Sequence, residues 1–218
     1  DAELDRSSVY VQGQVILTLR LQQAVNLDDR NITQLQLDNA FVRPLEQNSY
    51  QRMVNGRPWL VHELRYAIFP EQSGTLEIPA QTFTARERAP RRSLFDSGGG
   101  RQVRRSTDAL RIEVLPRPDN YPQGEWLPAA ALTLEESWST APEQLKVGES
   151  ATRTITIRGE GVQGAQLPPV MFPPVDGLKF YPDQPTISDA ETADGLVGTR
   201  VDSVAIVPTR GGRWQLPE

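Results

Sequence analysis

Apolar and polar side chains alternate along several short stretches of the chain, with the period expected of half-buried β-strands. Apolar residues recur at every second position in Val15–Leu21 and Leu110–Val114, and Leu60–Ile68 largely repeats this alternation. Threonine and isoleucine dominate Thr152–Ile157, which suits a pleated surface. The best candidate for a helix, Leu132–Trp138, is short and flanked by proline-rich segments. The pattern predicts an all-β fold.

A proline-rich segment near the middle of the chain predicts a domain boundary. Three prolines lie within residues 116–122, where they favour extended backbone and remove hydrogen-bond donors. The 218 residues are enough for two domains of about 100 residues each. We therefore predict a first immunoglobulin-like β-sandwich over residues 1–118, a linker over 119–126 and a second immunoglobulin-like β-sandwich over 127–218.

An internal repeat supports this division. Ala67–Pro79 aligns with Ala205–Pro217 at a constant offset of 138 residues, and five of the thirteen positions are identical. The alternative explanation is a coincidence between two turns. The first copy continues to the predicted strand Leu110–Val114, for which the second copy has no counterpart. We therefore expect the second sandwich to lack its last strand, and the sequence to be a piece of a longer protein.

The charge distribution disfavours nucleic acid as a partner but singles out one basic segment. The chain has a net charge of −5 and a pI of about 5.1. Seven arginines nevertheless lie close together: Arg86, Arg88, Arg91, Arg92, Arg101, Arg104 and Arg105. We interpret the segment as a loop that is either simply solvated or a partner-binding loop, because guanidinium groups grip carboxylates in bidentate fashion.

The residue types that build catalytic and metal sites are scarce. The chain has no cysteine and one histidine, which excludes disulfides and thiol nucleophiles and disfavours a histidine-based metal site. Alternation places His62 on the face of Leu60 and Leu64, so a packed histidine is favoured over a catalytic one. We predict no catalytic centre, no cofactor and no metal site.

Two further motifs resemble ligand-binding sequences without satisfying them. Residues 159–164 match a GxGxxG pattern, but the prolines that follow prevent the helix that a dinucleotide site requires. We interpret this motif as a glycine-rich turn. Four acidic residues lack the spacing of a calcium loop and are interpreted as solvated: Asp183, Asp189, Glu191 and Asp194.

The four tryptophans keep an alternative function open. Exposed indole rings would suit a carbohydrate-binding accessory module, and Trp59 and Trp126 lie near predicted turns. Trp214 aligns with Leu76 in the repeat, which favours core packing for that ring. Trp138 carries no further signal.

Six segments, in their order and spacing along the chain, match one known family. They are Tyr10–Arg20, Asn55–Trp59, Tyr66–Gly74, Trp126–Ala129, Val147–Thr156 and Leu178–Asp183. Together they resemble the BatD family of bacterial aerotolerance-associated proteins, over nearly the whole chain.

This resemblance implies a periplasmic protein that is tethered to the inner membrane by an anchor outside this sequence. It also implies work beside von Willebrand factor A-type membrane proteins and a MoxR-type ATPase system. The family offers no established catalytic residues. We therefore expect a non-catalytic interaction or scaffold module of a membrane-associated stress or aerotolerance complex.

Overall fold

The computed structural model describes residues 1–87, 100–122 and 124–216, and confirms the all-β fold. The chain divides into two compact units, Asp1–Tyr121 and Pro122–Glu218. This division lies inside the segment 119–126 that the sequence predicts as a linker.

The described strands of the first unit are β1 (Ala2–Leu4), β2 (Ser8–Tyr10), β3 (Val15–Gln23), β4 (Leu27–Ile32), β5 (Ala40–Pro44), β6 (Asn48–Val54), β7 (Arg57–Pro70), β8 (Gly74–Ile78), β9 (Thr82–Glu87), β10 (Arg101–Ser106) and β11 (Leu110–Leu115). Those of the second unit are β12 (Ala131–Trp138), β13 (Ala151–Glu160), β14 (Leu178–Pro182), β15 (Thr186–Thr192) and β16 (Gly195–Pro208). Short 3-10 turns occupy Pro142–Gln144 and Gly164–Gln166.

The described strands of the first unit form three sheets. The largest has the order β1-β3-β7-β5, with β6 also paired to β7. A second sheet has the order β2-β11-β8, and a third has the order β10-β9-β4. All pairs are antiparallel except β2 with β11.

The core of the first unit lies between the first two sheets. Val15, Leu17 and Leu19 of β3 are almost inaccessible to solvent and belong to one cluster with Ile112 and Val114 of β11. The alternation in the sequence therefore identified the inward face correctly. Two sheets facing each other across an apolar layer make this unit a β-sandwich.

Burial is not confined to that inward face. Ile16 and Ala67 are register partners on the opposite face of β3 and β7, and both are buried. Val61 and Phe69, on the same face of β7, are also buried. Strict alternation thus underestimates how much of this sheet is covered.

The described strands of the second unit form one sheet of order β12-β13-β16-β14, with β15 also paired to β16. Strand β16 is 14 residues long, and it pairs with β13 along one edge and with β15 and β14 along the other. The helix candidate Leu132–Trp138 lies within β12 and pairs with β13 over its whole length. Seven consecutive antiparallel pairings decide its conformation, which its own side chains leave ambiguous.

A connecting segment covers one face of this sheet. Val162 and Leu167 form a buried cluster with Ile155 and Ile157 of β13. The segment approaches closely because Gly159 and Gly198, which are register partners, present no side chains to it. The GxGxxG motif is therefore a strand end, a turn at Gly161 and a 3-10 turn that packs on the sheet.

Within the described part of the second unit, β16 is the last strand. Trp214 and Leu216, the counterparts of Leu76 and Ile78, line a cavity of about 640 Å³ together with Ile206 of β16. In the first unit, Leu76 and Ile78 belong to β8 and pair with β11. The two copies of the repeat thus differ: Leu76 and Ile78 are buried in a paired strand, whereas Trp214 and Leu216 line a cavity.

Candidate partner-binding cleft of the first unit

The structure corrects the prediction that the arginine-rich segment is one loop. Arg86 lies in β9, whereas Arg101, Arg104 and Arg105 lie in β10, and the two strands pair in antiparallel register. The two ends of the segment are therefore strands that pair with each other, because six cross-strand residue pairs satisfy their backbone hydrogen-bonding groups. Three of the seven arginines lie outside the described residues: Arg88, Arg91 and Arg92.

The register of this strand pair determines which side chains share a face. Arg105 lies opposite Phe83, and Val103 lies opposite Ala85. Directly opposed residues point to the same side of a sheet, so Arg101 and Arg105 flank Val103 on the face of Phe83. Arginine guanidinium groups and apolar surface therefore share one face.

An open cleft of about 680 Å³ lies beside β10. Its lining includes the whole of β10 together with Leu27, Phe83 and Glu87. Residues 20–25, Trp59 and Asp1 complete the lining. The cleft thus brings together parts of the chain that are about 80 residues apart in sequence.

The charge of Arg20 in this cleft is already compensated. Its guanidinium group donates to Glu3 at 2.6 Å and to Glu63 at 2.9 Å. These two hydrogen bonds raise the pKa of Arg20 above its ordinary value. Arg20 therefore stabilises the end of β3 and offers little free charge to a partner.

The arginines of β10 are in a different position. Within the described ranges, Arg101, Arg104 and Arg105 have no carboxylate within ion-pair distance, and all three are exposed. Nη1 of Arg105 donates a hydrogen bond to the backbone carbonyl oxygen of Arg104, at 2.9 Å. The wall formed by β10 therefore carries positive charge that is available to an anionic partner.

Arg86 is set apart from this group. Its Nη1 lies 4.0 Å from Oδ2 of Asp29 on β4, and it alternates onto the face opposite Phe83. The structure thus brings Arg101, Arg104 and Arg105 together at the cleft and leaves Arg86 outside its lining.

The aromatic members of the cleft were not identified as such from the sequence. Phe83 gives no signal of its own, because it stands alone in a polar strand. The sequence marks Trp59 only as a candidate for an exposed ring, whereas the structure shows it half-buried. Trp126, Trp138 and Trp214 are likewise half-buried, so no observation specifically favours the carbohydrate alternative.

His62 is held by neighbouring polar groups. Arg30 donates to Nε2 at 2.7 Å, so Nδ1 carries the ring proton and donates to Oγ of Ser49 at 2.8 Å. These contacts fix the neutral ring on β7, which agrees with a packed histidine.

We expect the stability of the first unit to decrease as the pH falls below about 6.5. Burial, and secondarily the charge of Arg30, lower the pKa of His62 below 6.5. The unfolded chain then binds more protons than the folded chain just below that pH, which favours unfolding. Between about pH 7.5 and about pH 5.5, the free energy of unfolding measured in urea should fall less for His62→Gln than for the parent chain. An equal loss in both would contradict this role.

The acidic residues that were considered for calcium do not assemble. Across residues 1–87, 100–122 and 124–216, no group of three or more histidine or carboxylate side chains is placed to hold a metal ion. Asp189 instead accepts a hydrogen bond from the backbone N–H of Gly164, at 2.6 Å. It therefore anchors the segment that covers the second sheet.

Comparison with known proteins identifies the family. A model of the BatD DUF11 like domain matches residues 2–114. No curated protein matches the chain. The described part of the chain contains no helix with the length and hydropathy of a membrane span. Because the matched region covers more than half of the 218 residues, the chain belongs to the BatD family.

Proposed function

We propose that this chain is a non-catalytic interaction module that binds partner proteins through the cleft beside β10. The observation that carries the proposal is the set of exposed arginines Arg101, Arg104 and Arg105, which have no carboxylate partner among the described residues. A concave surface with free guanidinium groups and apolar side chains suits the recognition of an acidic protein surface.

The properties of the family support a wider proposal for this module. BatD proteins are of a membrane-anchored, periplasmic type and are associated with aerotolerance. In this proposal the module lies in the periplasm, tethered to the inner membrane, and contributes to a stress-related complex. Its partners there are von Willebrand factor A-type membrane proteins, linked to a MoxR-type ATPase system. It needs no cofactor and transforms no substrate.

A crosslinking pull-down of the full-length, membrane-tethered protein from its native host tests this function. We expect the combined change Arg101→Ala, Arg104→Ala and Arg105→Ala to reduce partner recovery strongly, because each arginine contributes to the field of the cleft. Raising the salt concentration should reduce recovery for the parent protein and have less effect on the triple variant.

Arg111→Ala provides the matched control. Arg111 is an exposed arginine of the same unit, and it pairs with Glu77 at 2.9 Å outside the cleft. This variant should recover partners as the parent protein does. Equal recovery by the triple variant and the parent protein, with the same response to salt, would exclude the cleft as the binding surface.

A further inference from the structure

Strand β10 has a free edge. It is the outer strand of the β10-β9-β4 sheet, and β9 is its only strand partner within the described ranges. The backbone groups along the other edge are thus available for a further strand. Natural sheets rarely leave such an edge unguarded unless it is charged or covered.

The cleft borders β10 on the face that carries Phe83 and Glu87, and its lining continues across β9 to Leu27 of β4. All six residues from Arg101 to Ser106 line it. Because β10 borders the cleft along its whole length, a strand added at the free edge of β10 would lie next to the cleft.

The chemistry of the cleft restricts what such a strand can be. Arg101, Arg104 and Arg105 favour carboxylates. Val103 and Phe83 offer apolar contacts between and beside them, and Val25, which also lines the cleft, is 49% exposed. An occupant with alternating acidic and apolar side chains would meet both surfaces at once.

We propose that the free edge of β10, next to the cleft, binds an extended acidic segment of a partner protein, which pairs with β10 as an additional strand. The inference rests on the proposed interaction function and specifies its partner and its binding mode. Six residues of β10 accommodate a segment of about six residues, or about 20 Å. Main-chain hydrogen bonds supply affinity, and the arginines select acidic sequences.

A second copy of this chain fits the same edge poorly. Pairing of two β10 strands would place their arginines against one another, and like charges on opposed strands are destabilising. The charge of the edge therefore favours an acidic partner over self-association, which light scattering of the purified chain checks. A dimer that dissociates when Arg101 and Arg105 are changed to glutamate would overturn the assignment of the edge to a foreign strand.

The binding test uses the whole chain and a fluorescent ten-residue peptide that alternates glutamate with valine. We expect saturable binding, measured by fluorescence anisotropy, and loss of binding when lysine replaces glutamate. Two further peptides carry N-methyl groups on the odd or on the even residues, which block alternate backbone donors without changing the charge. A strand that pairs along one edge uses only one of these two sets, so one methylated peptide should bind and the other should not.

Variants of the chain test the assignment to β10. Arg101→Glu and Arg105→Glu should each weaken binding of the acidic peptide by roughly fivefold at low salt. Arg111→Glu, which lies outside the cleft, should change it by less than about twofold. Circular dichroism confirms that each variant is folded before the comparison.

The outcomes separate this inference from the proposed function. Equal binding of both methylated peptides, or no binding of the glutamate peptide, would exclude strand addition even if the arginine variants lose their partners in the pull-down. In that case the function would stand with a different binding mode. Binding of only one of the two methylated peptides, combined with equal partner recovery by the triple variant and the parent protein, would support the site and contradict the proposed function.

Discussion

Arg200→Ala is expected to lower the free energy of unfolding of the second unit by about 3 kcal/mol. Nε of Arg200 donates to Oδ2 of Asp202 at 2.8 Å, and Nη2 donates to Oδ1 at 3.1 Å. The side chains are only 12% and 10% exposed, and the register places them beside Ile157 and Ile155. Removing the arginine leaves a carboxylate buried on this face without its counter-charge.

The double variant Arg200→Met with Asp202→Leu is the control. It removes both charges and replaces them with apolar side chains, so its stability should lie within about 1 kcal/mol of the parent chain or exceed it. Urea unfolding gives the free energies, and hydrogen exchange of the β16 amides assigns the change to the second unit. If Arg200→Ala were as stable as the parent chain, the ion pair would contribute nothing, and the burial of Asp202 would need another explanation.

The strands that alternation identified are those that form the cores. Val15, Leu17 and Leu19 in β3, and Ile112 and Val114 in β11, are buried as their spacing predicts. The hydrophobic effect acts on these positions directly, so their spacing alone carries the information. The family resemblance was likewise sound, since residues 2–114 match the BatD model.

The strands that alternation missed are stabilised by pairing rather than by burial. In β12, Leu132 and Leu134 remain 53% and 64% exposed, so no buried face marks the strand in the sequence. Strand β10 is similar, because all of its residues except Val103 are exposed. Such strands depend on distant partners, which local sequence does not reveal.

The lining of the cleft is even harder to predict from local sequence than these strands. The arginines were correctly singled out as a group, but residues 20–25 and Trp59 carry no sign that they face β10. Only the fold brings these segments together. The sequence could also not separate Arg86, which lies near Asp29, from Arg101 and Arg105 at the cleft. Whether these arginines bind a partner stays a prediction.

Gly198→Ala should lower the free energy of unfolding of the second unit by about 3 kcal/mol, because its new methyl group has no space. An ideal Cβ at Gly198 would overlap the backbone nitrogen of Gly164 and lie 2.8 Å from its Cα. Backbone atoms cannot rotate away as a flexible side chain can. The segment would have to lift from the sheet, which would break the hydrogen bond from Gly164 to Asp189 and draw Leu167 out of its cluster.

Gly211→Ala is the matched control for this change. No atom lies within 4 Å of an ideal Cβ at Gly211, so the new methyl group meets open space. Its stability should stay within about 1 kcal/mol of the parent chain, since reduced freedom of the unfolded chain offsets small losses. Urea unfolding and hydrogen exchange of the Gly164 amide report the two changes separately. A Gly198→Ala chain with parental stability and a protected Gly164 amide would show that the glycine is not required for this close packing.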